Sequence, residues 1–245
     1  MHIFLYLFII ILIIIIFWCL FKFIKEKNLD NNLYINNEIS NNIIKHKFDD
    51  YEILEIYNIL TPEECNILIN IAKQRGLVNS EVLTYNKNTT TKIDNSYRNS
   101  EQTWLDDTHH DITMKIAKIS EKLTGLPRNQ QEQLQIAHYN SNGTFKEHFD
   151  ACVYEDKEYC DKINRYAGQR RVTLLIYLND DFNNGETEFV DLGLKIKPEI
   201  GKGIVFWNTN ENDELLVKSK HKGNPVINGE KWIATKWTHV RKYNN

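Results

Sequence analysis

Two histidines and one aspartate are the first candidates for chemistry in this chain of 245 residues. His148 and Asp150 are two positions apart, and on a β-strand such residues point to the same face. A solvated surface pair is the alternative, because His-x-Asp alone is a common pattern. His221 adds a second imidazole farther along the chain. Together the three side chains offer the ligand types that a divalent transition metal prefers.

This ligand set indicates a particular metal chemistry. Two histidines and one carboxylate form the facial triad of non-haem Fe(II) oxygenases, which leaves adjacent coordination positions open. A bidentate oxo-acid could fill two of these positions and O₂ the third. Lys231 follows the turn signals at Pro225 and Asn228-Gly229, and it could bind the far carboxylate of such an acid. An exposed strand lysine is the alternative interpretation of Lys231.

Two helices and four strands are predicted around these residues. The first helix begins at Thr61-Pro62-Glu63-Glu64, a capping box with proline in the first turn, and ends at Gly76. The second begins at Thr108 with Asp111 and ends at Gly125. Strands are predicted where β-branched and aromatic residues lie between turn residues: Leu134–Tyr139, Val172–Leu178, Gly203–Trp207 and Trp232–Val240. The pattern therefore predicts helices followed by an all-β barrel or sandwich.

The composition excludes several classes of protein. A formal net charge of -3 argues against a dedicated nucleic-acid binder, so no nucleic-acid partner is expected. With 10 Gly, 4 Pro and 4 Cys, the chain is neither collagen-like nor a disulfide scaffold. Cys152 and Cys160 could close a short loop in an oxidising compartment, but the sequence leaves this pairing open.

An apolar run without charged residues, IFLYLFIIILIIIIFWCLF, covers residues 3–21. A helix of this length can cross a bilayer at about 1.5 Å per residue. We predict a single-pass transmembrane helix over residues 1–24 and a polar, Asn-rich stalk over residues 25–50. A cleaved signal peptide is the alternative, although the run does not end in a small-residue cleavage site. The positive-inside rule favours a cytosolic C-terminal part, because three lysines follow the run: Lys22, Lys25 and Lys27.

Four stretches of the soluble part resemble one enzyme family: LQIAHYNSNGTFKEHFD, RRVTLLIYLND, NNGETEF and KHKGNPVINGEKWIATKWTH. Their order and spacing are similar to those of the 2-oxoglutarate- and iron(II)-dependent prolyl 4-hydroxylases. The stretch EILEIYNILTPEECNILI and the step Arg98-Asn99-Ser100 resemble the N-terminal portion of that family. The resemblance implies a mainly β fold with flanking helices, built on a double-stranded β-helix, a jelly-roll relative. It implies a helical N-terminal part over residues 51–130 and an oxygenase core over residues 131–245.

The resemblance also implies roles for individual residues. Fe(II) would be bound by three side chains: His148, Asp150 and His221. Lys231 would bind the C5 carboxylate of 2-oxoglutarate, and Tyr139 and Thr173 would line the co-substrate pocket. Six residues would contact or shape the peptide site: Arg98, Ser100, Glu132, Arg170, Trp237 and His239. Ascorbate is implied as the reductant that rescues oxidised iron.

The implied reaction is the 4-hydroxylation of proline in a peptide or a collagen-like protein, using O₂ and 2-oxoglutarate and releasing succinate and CO₂. One alternative is a 2-oxoglutarate oxygenase that acts on another residue, such as lysine, or on a small molecule. A catalytically silent barrel that serves as a binding module is another alternative. A cupin-like Zn²⁺ hydrolase is the last, and Lys231 argues against it because such sites lack a lysine that holds a co-substrate.

Three features depart from the family pattern and leave the exact peptide substrate open. Phe145 replaces the usual Tyr, Glu147 replaces a frequent Pro, and the loop from Ala151 to Gln169 has a sequence of its own. The cellular location is open as well. The resemblance implies an endoplasmic reticulum signal-anchor with a luminal catalytic domain. The lysines after the apolar run favour the opposite, cytosolic orientation. The abundance of residues with A/T-rich codons would also suit a large DNA virus, with virion association as a further alternative.

Overall fold

The computed structural model describes residues 42–83, 91–153, 160 and 164–243, together with residue 18. Ile43–Asn245 form a unit separate from Met1–Asn42. The described residues of this unit contain two α-helices, α1 (Pro62–Arg75) and α2 (Asp111–Thr124). Their strands, in chain order, are β1 Ile43–Phe48, β2 Tyr51–Ile56, β3 Val78–Asn79, β4 Glu81–Leu83, β5 Thr91–Ile93, β6 Glu101–Leu105, β7 Leu134–Tyr139, β8 Phe145–His148, β9 Arg170–Tyr177, β10 Asn183–Asn184, β11 Thr187–Phe189, β12 Leu194–Ile196, β13 Gly203–Trp207, β14 His221–Gly223, β15 Val226–Ile227 and β16 Lys231–His239.

Most of these strands form two antiparallel sheets. The large sheet has the order β1-β2-β13-β9-β16-β7-β6-β3, and the small sheet has the order β12-β11-β14-β8. Side chains of both sheets meet in one core cluster, which includes Tyr177 and Phe206 from the large sheet and Phe189 and Ile196 from the small sheet. A mainly β fold with two sheets around a shared core agrees with the predicted jelly-roll architecture.

The central strand β16 is buried at every position because both of its faces are covered. Ile233 belongs to the core between the sheets. On the opposite face, the Thr238 hydroxyl lies 3.5 Å from the Ser120 hydroxyl of α2. Helix α1 contacts the large sheet through Cys65, whose thiol lies 4.0 Å from the Tyr177 carbonyl oxygen. The helices therefore pack on the face of the large sheet that is turned away from the core.

The predicted helices are present, and one of them begins differently from the prediction. Helix α1 has the predicted capping box: the Thr61 side chain accepts a hydrogen bond from the Glu64 backbone, and the Glu64 carboxylate accepts one from the Thr61 backbone. Helix α2 is capped by His110 and not by Thr108, because the His110 Nδ1 accepts a hydrogen bond from the backbone N–H of Ile112 at 3.1 Å. Histidine is not among the preferred capping residues, so the sequence favoured the earlier threonine.

The predicted strands agree closely with the observed ones. Leu134–Tyr139 and Gly203–Trp207 have the predicted bounds. The other two strands extend over Arg170–Tyr177 and Lys231–His239, so their ends differ from the prediction by one or two residues. Differences of this size are common at element ends, where hydrogen bonding is incomplete.

The N-terminal part contributes more strand than the sequence indicated. Strand β1 lies at the end of residues 25–50, where we predicted a polar stalk, and it pairs with β2 along its whole length. As an edge strand with no fully buried position, β1 lacks the alternation that would have predicted it. Residues 51–130, predicted as helical, also supply β2 and β6 to the large sheet.

The predicted transmembrane helix over residues 1–24 lies outside the described residues apart from Trp18, and so does most of the predicted stalk. Among the described residues, no helix combines the length and the apolar character needed to span a bilayer.

Candidate active site

Strand pairing brings the three predicted metal ligands together. His148 ends β8, His221 begins β14, and the two residues lie opposite each other in the ladder. Asp150 lies two residues after the end of β8, with one carboxylate oxygen 3.9 Å from the His148 Nε2 and the other 3.9 Å from the His221 Nε2. The potential ligand atoms of the three residues lie within 4.8 Å of one another. One metal ion could therefore contact all three side chains.

Backbone hydrogen bonds set the orientation of both imidazoles. The Nδ1 of His148 lies 2.7 Å from the Lys146 carbonyl oxygen, and the Nδ1 of His221 lies 2.9 Å from the Ser219 carbonyl oxygen. Because a carbonyl only accepts, each Nδ1 carries the proton and each Nε2 keeps its lone pair for a metal.

The electrostatics of the cluster also suit a divalent cation. Burial lowers the pKa of His148 well below its ordinary value, and the nearby His221 acts in the same direction. Burial alone would raise the pKa of Asp150, but attraction to His221 and His148 lowers it. The His148 Nε2 thus stays available as a neutral donor beside an ionised carboxylate, and these ligand types fit Fe(II).

Aromatic rings pack against the imidazole rings of both histidines. Phe145 stacks on His148, with 3.5 Å between ring centroids and 15° between ring planes. The Arg98 guanidinium lies 4.7 Å from the centroid of the same Phe145 ring. Phe206 contacts His221 edge to face at 4.8 Å. Phe145, which replaces the family's usual Tyr, therefore supports a ligand ring through its face, and this contact does not need a hydroxyl.

Lys231 is a buried basic residue for which the described part of the chain supplies no ion pair. It begins β16 opposite Tyr139, and it is 3% exposed. Its Nζ donates a hydrogen bond to the Gly185 carbonyl oxygen at 2.6 Å, and in the part of the chain that the structure describes it forms no ion pair. Burial lowers its pKa from 10.5 to about 7. A buried ammonium of this kind is destabilising unless it is paired, so it fits the carboxylate of an external molecule.

An inner cavity connects Lys231 with the metal cluster. Its lining includes six residues of the two sheets: Tyr139, Thr173, Thr187, His221, Lys231 and Thr235. Tyr139 and Thr173 thus lie where the resemblance placed them. However, the Thr173 hydroxyl donates a hydrogen bond to Asp150 at 2.7 Å, so its polar group is directed at a metal ligand.

An outer cavity of about 520 Å³ adjoins the inner one and shares His148 and Asp150 with it. Its lining includes five aromatic residues: Tyr97, Trp104, Phe145, Phe149 and Trp237. The Arg170 guanidinium lies 3.8 Å from the Trp237 ring. Arg98 also lines this cavity, and its guanidinium donates hydrogen bonds to Ser100 and Gln135, both at 3.0 Å.

Three of the six residues predicted for the peptide site line this cavity: Arg98, Arg170 and Trp237. The other three belong to the hydrogen-bonded groups that hold the two arginines in place. Glu132 accepts a hydrogen bond from the Arg170 Nη2 at 2.9 Å and lies 2.7 Å from the His239 Nε2. Burial would raise the pKa of the Glu132 carboxyl, but Arg170 and His239 lower it from 4.5 to about 2. Ser100 similarly supports Arg98. Glu132, His239 and Ser100 therefore shape the cavity without lining it.

Thr187 and Asn208 are among the residues of the site that the sequence did not predict. Thr187 lines the inner cavity and lies within the quoted stretch NNGETEF, so the resemblance carried a signal for it. Asn208 donates a hydrogen bond to the Thr173 hydroxyl at 2.8 Å. It follows β13 in the sequence without any recognisable pattern, because its role depends on a contact between distant segments.

Comparison with known proteins agrees with this geometry. Residues 134–239 match the family model described as the 2OG-Fe(II) oxygenase superfamily. A protein of Acanthamoeba polyphaga mimivirus that carries the prolyl 4-hydroxylase name is 33% identical over 187 residues, which cover 76% of this chain and 73% of the relative. Prolyl 4-hydroxylase 5 of Arabidopsis thaliana is 31% identical over 207 residues, which cover 76% of this chain and 68% of the relative. The chain belongs to the prolyl 4-hydroxylase family.

A solved structure supports the same assignment. The viral collagen prolyl hydroxylase of Paramecium bursaria Chlorella virus-1, in complex with 2OG, matches with a TM-score of 0.62 and 29% identity. The match covers 78% of this chain and 96% of that one. As a member of the prolyl 4-hydroxylase family, this protein is a 2-oxoglutarate-dependent Fe(II) dioxygenase, which agrees with the ligand cluster and with the unpaired Lys231.

We expect Glu132→Gln to lower the free energy of unfolding by on the order of 3 kcal/mol at neutral pH, because Arg170 and His239 would lose their anionic partner. The folded-state pKa of Glu132 is depressed, so its contribution is present above pH 4.5 and is lost as the pH falls toward 2. Urea denaturation across this range should show the two proteins converging at low pH. A constant difference at all pH values would contradict the ion-pair explanation, and Glu211→Gln, at an exposed position, serves as control.

Proposed function

We propose that this protein hydroxylates peptidyl-proline at C4, using O₂ and 2-oxoglutarate and releasing succinate and CO₂. One observation carries the proposal: the ligand cluster and the unpaired Lys231 line the same inner cavity in a chain of the prolyl 4-hydroxylase family. A chelating oxo-acid with a distal carboxylate needs both a metal site and a cation in one cavity, and this cavity offers both. A catalytically silent barrel would have no use for a buried cation that lacks a partner.

The chain's own residues would bind and orient the reactants. Three side chains would hold Fe(II): His148, Asp150 and His221. Lys231 would hold the C5 carboxylate of 2-oxoglutarate by a charge-assisted hydrogen bond. When bound there, Fe(II) would activate O₂ as the oxidant and 2-oxoglutarate would supply two electrons through its decarboxylation, so that one oxygen atom enters the C–H bond and the other enters succinate. The apolar core between the sheets would exclude water from this reaction.

The outer cavity suits a proline-containing peptide. Aromatic side chains form much of its wall, and aromatic-lined grooves recognise extended proline-rich segments. Such segments are preorganised in the polyproline II conformation, so they lose little entropy when they bind. Arg98 and Arg170 are held in place by hydrogen bonds and could present N–H groups to peptide carbonyls. The cavity reaches the ligand cluster, which would bring a bound proline to the reacting centre.

Lysine is the second candidate for the target residue. Glu81 and Glu147 line the outer cavity, and neither has an ion-pair partner among the residues that the structure describes. Unpaired carboxylates at a cavity mouth favour a positively charged group nearby. The charge would suit either a lysine target or a basic residue beside a target proline, and analysis of the hydroxylated product separates these cases.

We expect the full-length protein with Fe(II), 2-oxoglutarate and ascorbate to form more succinate when proline-rich or collagen-like peptides are added. The peptide should gain one oxygen atom as 4-hydroxyproline, detected by mass spectrometry and amino-acid analysis. Omission of ascorbate should shorten the period of turnover, because oxidised iron would accumulate. Hydroxylysine in place of hydroxyproline would overturn the proline assignment, and turnover that survives His221→Ala would overturn the iron site.

For Lys231→Met we expect the KM for 2-oxoglutarate to rise about 10- to 100-fold, the equivalent of losing one charge-assisted hydrogen bond. Methionine keeps the length of the side chain and removes the buried charge, so the free energy of unfolding should not fall. Lys197→Met, at an exposed position, is the matched control and should leave the KM unchanged. An unchanged KM in Lys231→Met would remove its assigned role.

We further propose that residues 3–21 anchor the protein in the endoplasmic reticulum membrane as an uncleaved signal-anchor, with the catalytic unit in the lumen. The disulfide between Cys152 and Cys160 supports this orientation, because disulfides persist in oxidising compartments and are rare in the cytosol. The lysines after the apolar run favour the opposite orientation, so the two signals conflict.

Protease treatment of sealed microsomes distinguishes the two orientations. We expect the catalytic unit to be protected until detergent is added, as a luminal domain would be. An antibody epitope at the C-terminus reports its survival, and a cytosolic-tail protein in the same microsomes serves as control. Digestion of the unit in sealed microsomes would establish a cytosolic orientation instead.

A further inference from the structure

A relay of two hydrogen bonds reaches Asp150 from Asn208, the residue directly after β13. The Asn208 side-chain amide donates to the Thr173 hydroxyl at 2.8 Å, and this hydroxyl donates to the Asp150 carboxylate at 2.7 Å. Asn208 and Thr173 are 0% and 1% exposed. Bulk water therefore does not compete for either hydrogen bond, and the relay stays intact in the folded protein.

The direction of the relay follows from the number of protons available. The Thr173 hydroxyl has a single proton, and the Asn208 amide occupies one of its lone pairs. The proton is therefore directed at Asp150. If the Asn208 amide were turned over, its oxygen would take this proton and the Asp150 carboxylate would face oxygen lone pairs.

The orientation of the amide leaves an acceptor unpaired. The Asn208 Oδ1 is buried and has no hydrogen-bond partner among the described residues. A buried unpaired acceptor destabilises a protein by about 1–3 kcal/mol. The donation to Thr173 is thus made by an amide whose oxygen stays unsatisfied.

Both members of the relay are fixed by the large sheet. The Asn208 backbone N–H donates to the Arg171 carbonyl oxygen at 2.8 Å, and the Asn208 carbonyl oxygen accepts from Leu216 at 2.8 Å. Thr173 lies within β9, where a β-branched side chain has restricted rotamers. Asp150, in contrast, lies beyond the end of β8 and belongs to no strand. The relay therefore connects the carboxylate of a candidate ligand that lies outside the strands to the large sheet.

We propose that Asn208 is a positioning residue of the metal site: it orients the Thr173 hydroxyl, which holds the Asp150 carboxylate in the orientation that binds the metal. The inference rests on the iron site of the proposed function, and it is independent of the peptide substrate. Hydrogen bonds that orient metal ligands typically change metal affinity by about 10- to 100-fold when they are removed.

Metal affinity can be measured without turnover. Metal-free full-length protein is titrated with Mn²⁺, which resists oxidation by air and lies next to Fe²⁺ in ligand preference, and free Mn²⁺ is quantified by electron paramagnetic resonance. We expect the Kd to rise about tenfold in Asn208→Ala and about 10- to 100-fold in Thr173→Val. Thr173→Ser, which keeps the hydroxyl, should retain an affinity close to that of the wild type.

A double-mutant cycle separates the relay from a general structural effect. Because Asn208 acts through Thr173, adding Asn208→Ala to Thr173→Val should not weaken Mn²⁺ binding further. Thr209→Val is the matched control, since Thr209 is equally buried in the next position and its hydroxyl has no partner among the described residues. Its Kd should equal that of the wild type.

The outcomes that contradict the proposal are distinct. An unchanged Kd in Asn208→Ala, or single effects that multiply in the double variant, would overturn the relay and leave the iron site intact. A wild-type protein that binds no Mn²⁺ would overturn both. If Asn208→Ala does not fold, Asn208→Asp preserves the shape and replaces the donor by an acceptor, and it should weaken Mn²⁺ binding at least as much.

Discussion

The antiparallel pairing of β8 with β14 is the constraint on which the active site depends. It places His148 directly opposite His221, so that two imidazoles distant in sequence share one face of the small sheet. A slip of one residue in this register would turn one ring to the opposite face and leave the metal with too few ligands. Lys231 comes from the large sheet, opposite Tyr139. The core between the two sheets therefore sets the distance between the candidate metal ligands and the lysine that we propose as the residue that holds the co-substrate.

Two buried ionisable groups of this molecule, Glu132 and Lys231, differ in whether they have an ion-pair partner. The Glu132 carboxylate is fully paired with Arg170 and His239, so this group behaves as a fixed support that shapes the outer cavity. Among the residues that the structure describes, Lys231 forms no ion pair: it donates to a carbonyl oxygen and lies over the rings of Tyr139 and Tyr177, and burial still lowers its pKa to about 7. A ligand that binds only the folded state adds stability according to its concentration and affinity. A carboxylate beside Lys231 would therefore offset the destabilising charge, which links the stability of the fold to occupancy of its site.

The sequence predicted the parts of the site that follow from local patterns. His148 and Asp150 were predicted as a pair on one strand; the two side chains do converge, although Asp150 lies beyond the end of β8. Helix α1 was found from its capping box. Contacts between distant segments could not be predicted in this way. The amide of Asn208 reaches Asp150 through Thr173, and no spacing within one segment reports such a contact. For the same reason β1, an edge strand without apolar alternation, remained hidden in the polar segment that precedes β2.

The segment after Asp150 forms a part of the cavity wall whose sequence is specific to this protein, and it lies beside the candidate metal site. Ala151, Cys152 and Val153 line the outer cavity, and this part of the sequence departs from the family pattern. The Gln169 side chain nevertheless binds the backbone of Cys152 twice, accepting from its N–H at 2.8 Å and donating to its carbonyl at 3.0 Å. The disulfide to Cys160 adds a covalent tie at the same residue. Because Cys152 is held by its own backbone and side chain, residues farther along this loop can change without displacing the neighbouring metal ligand.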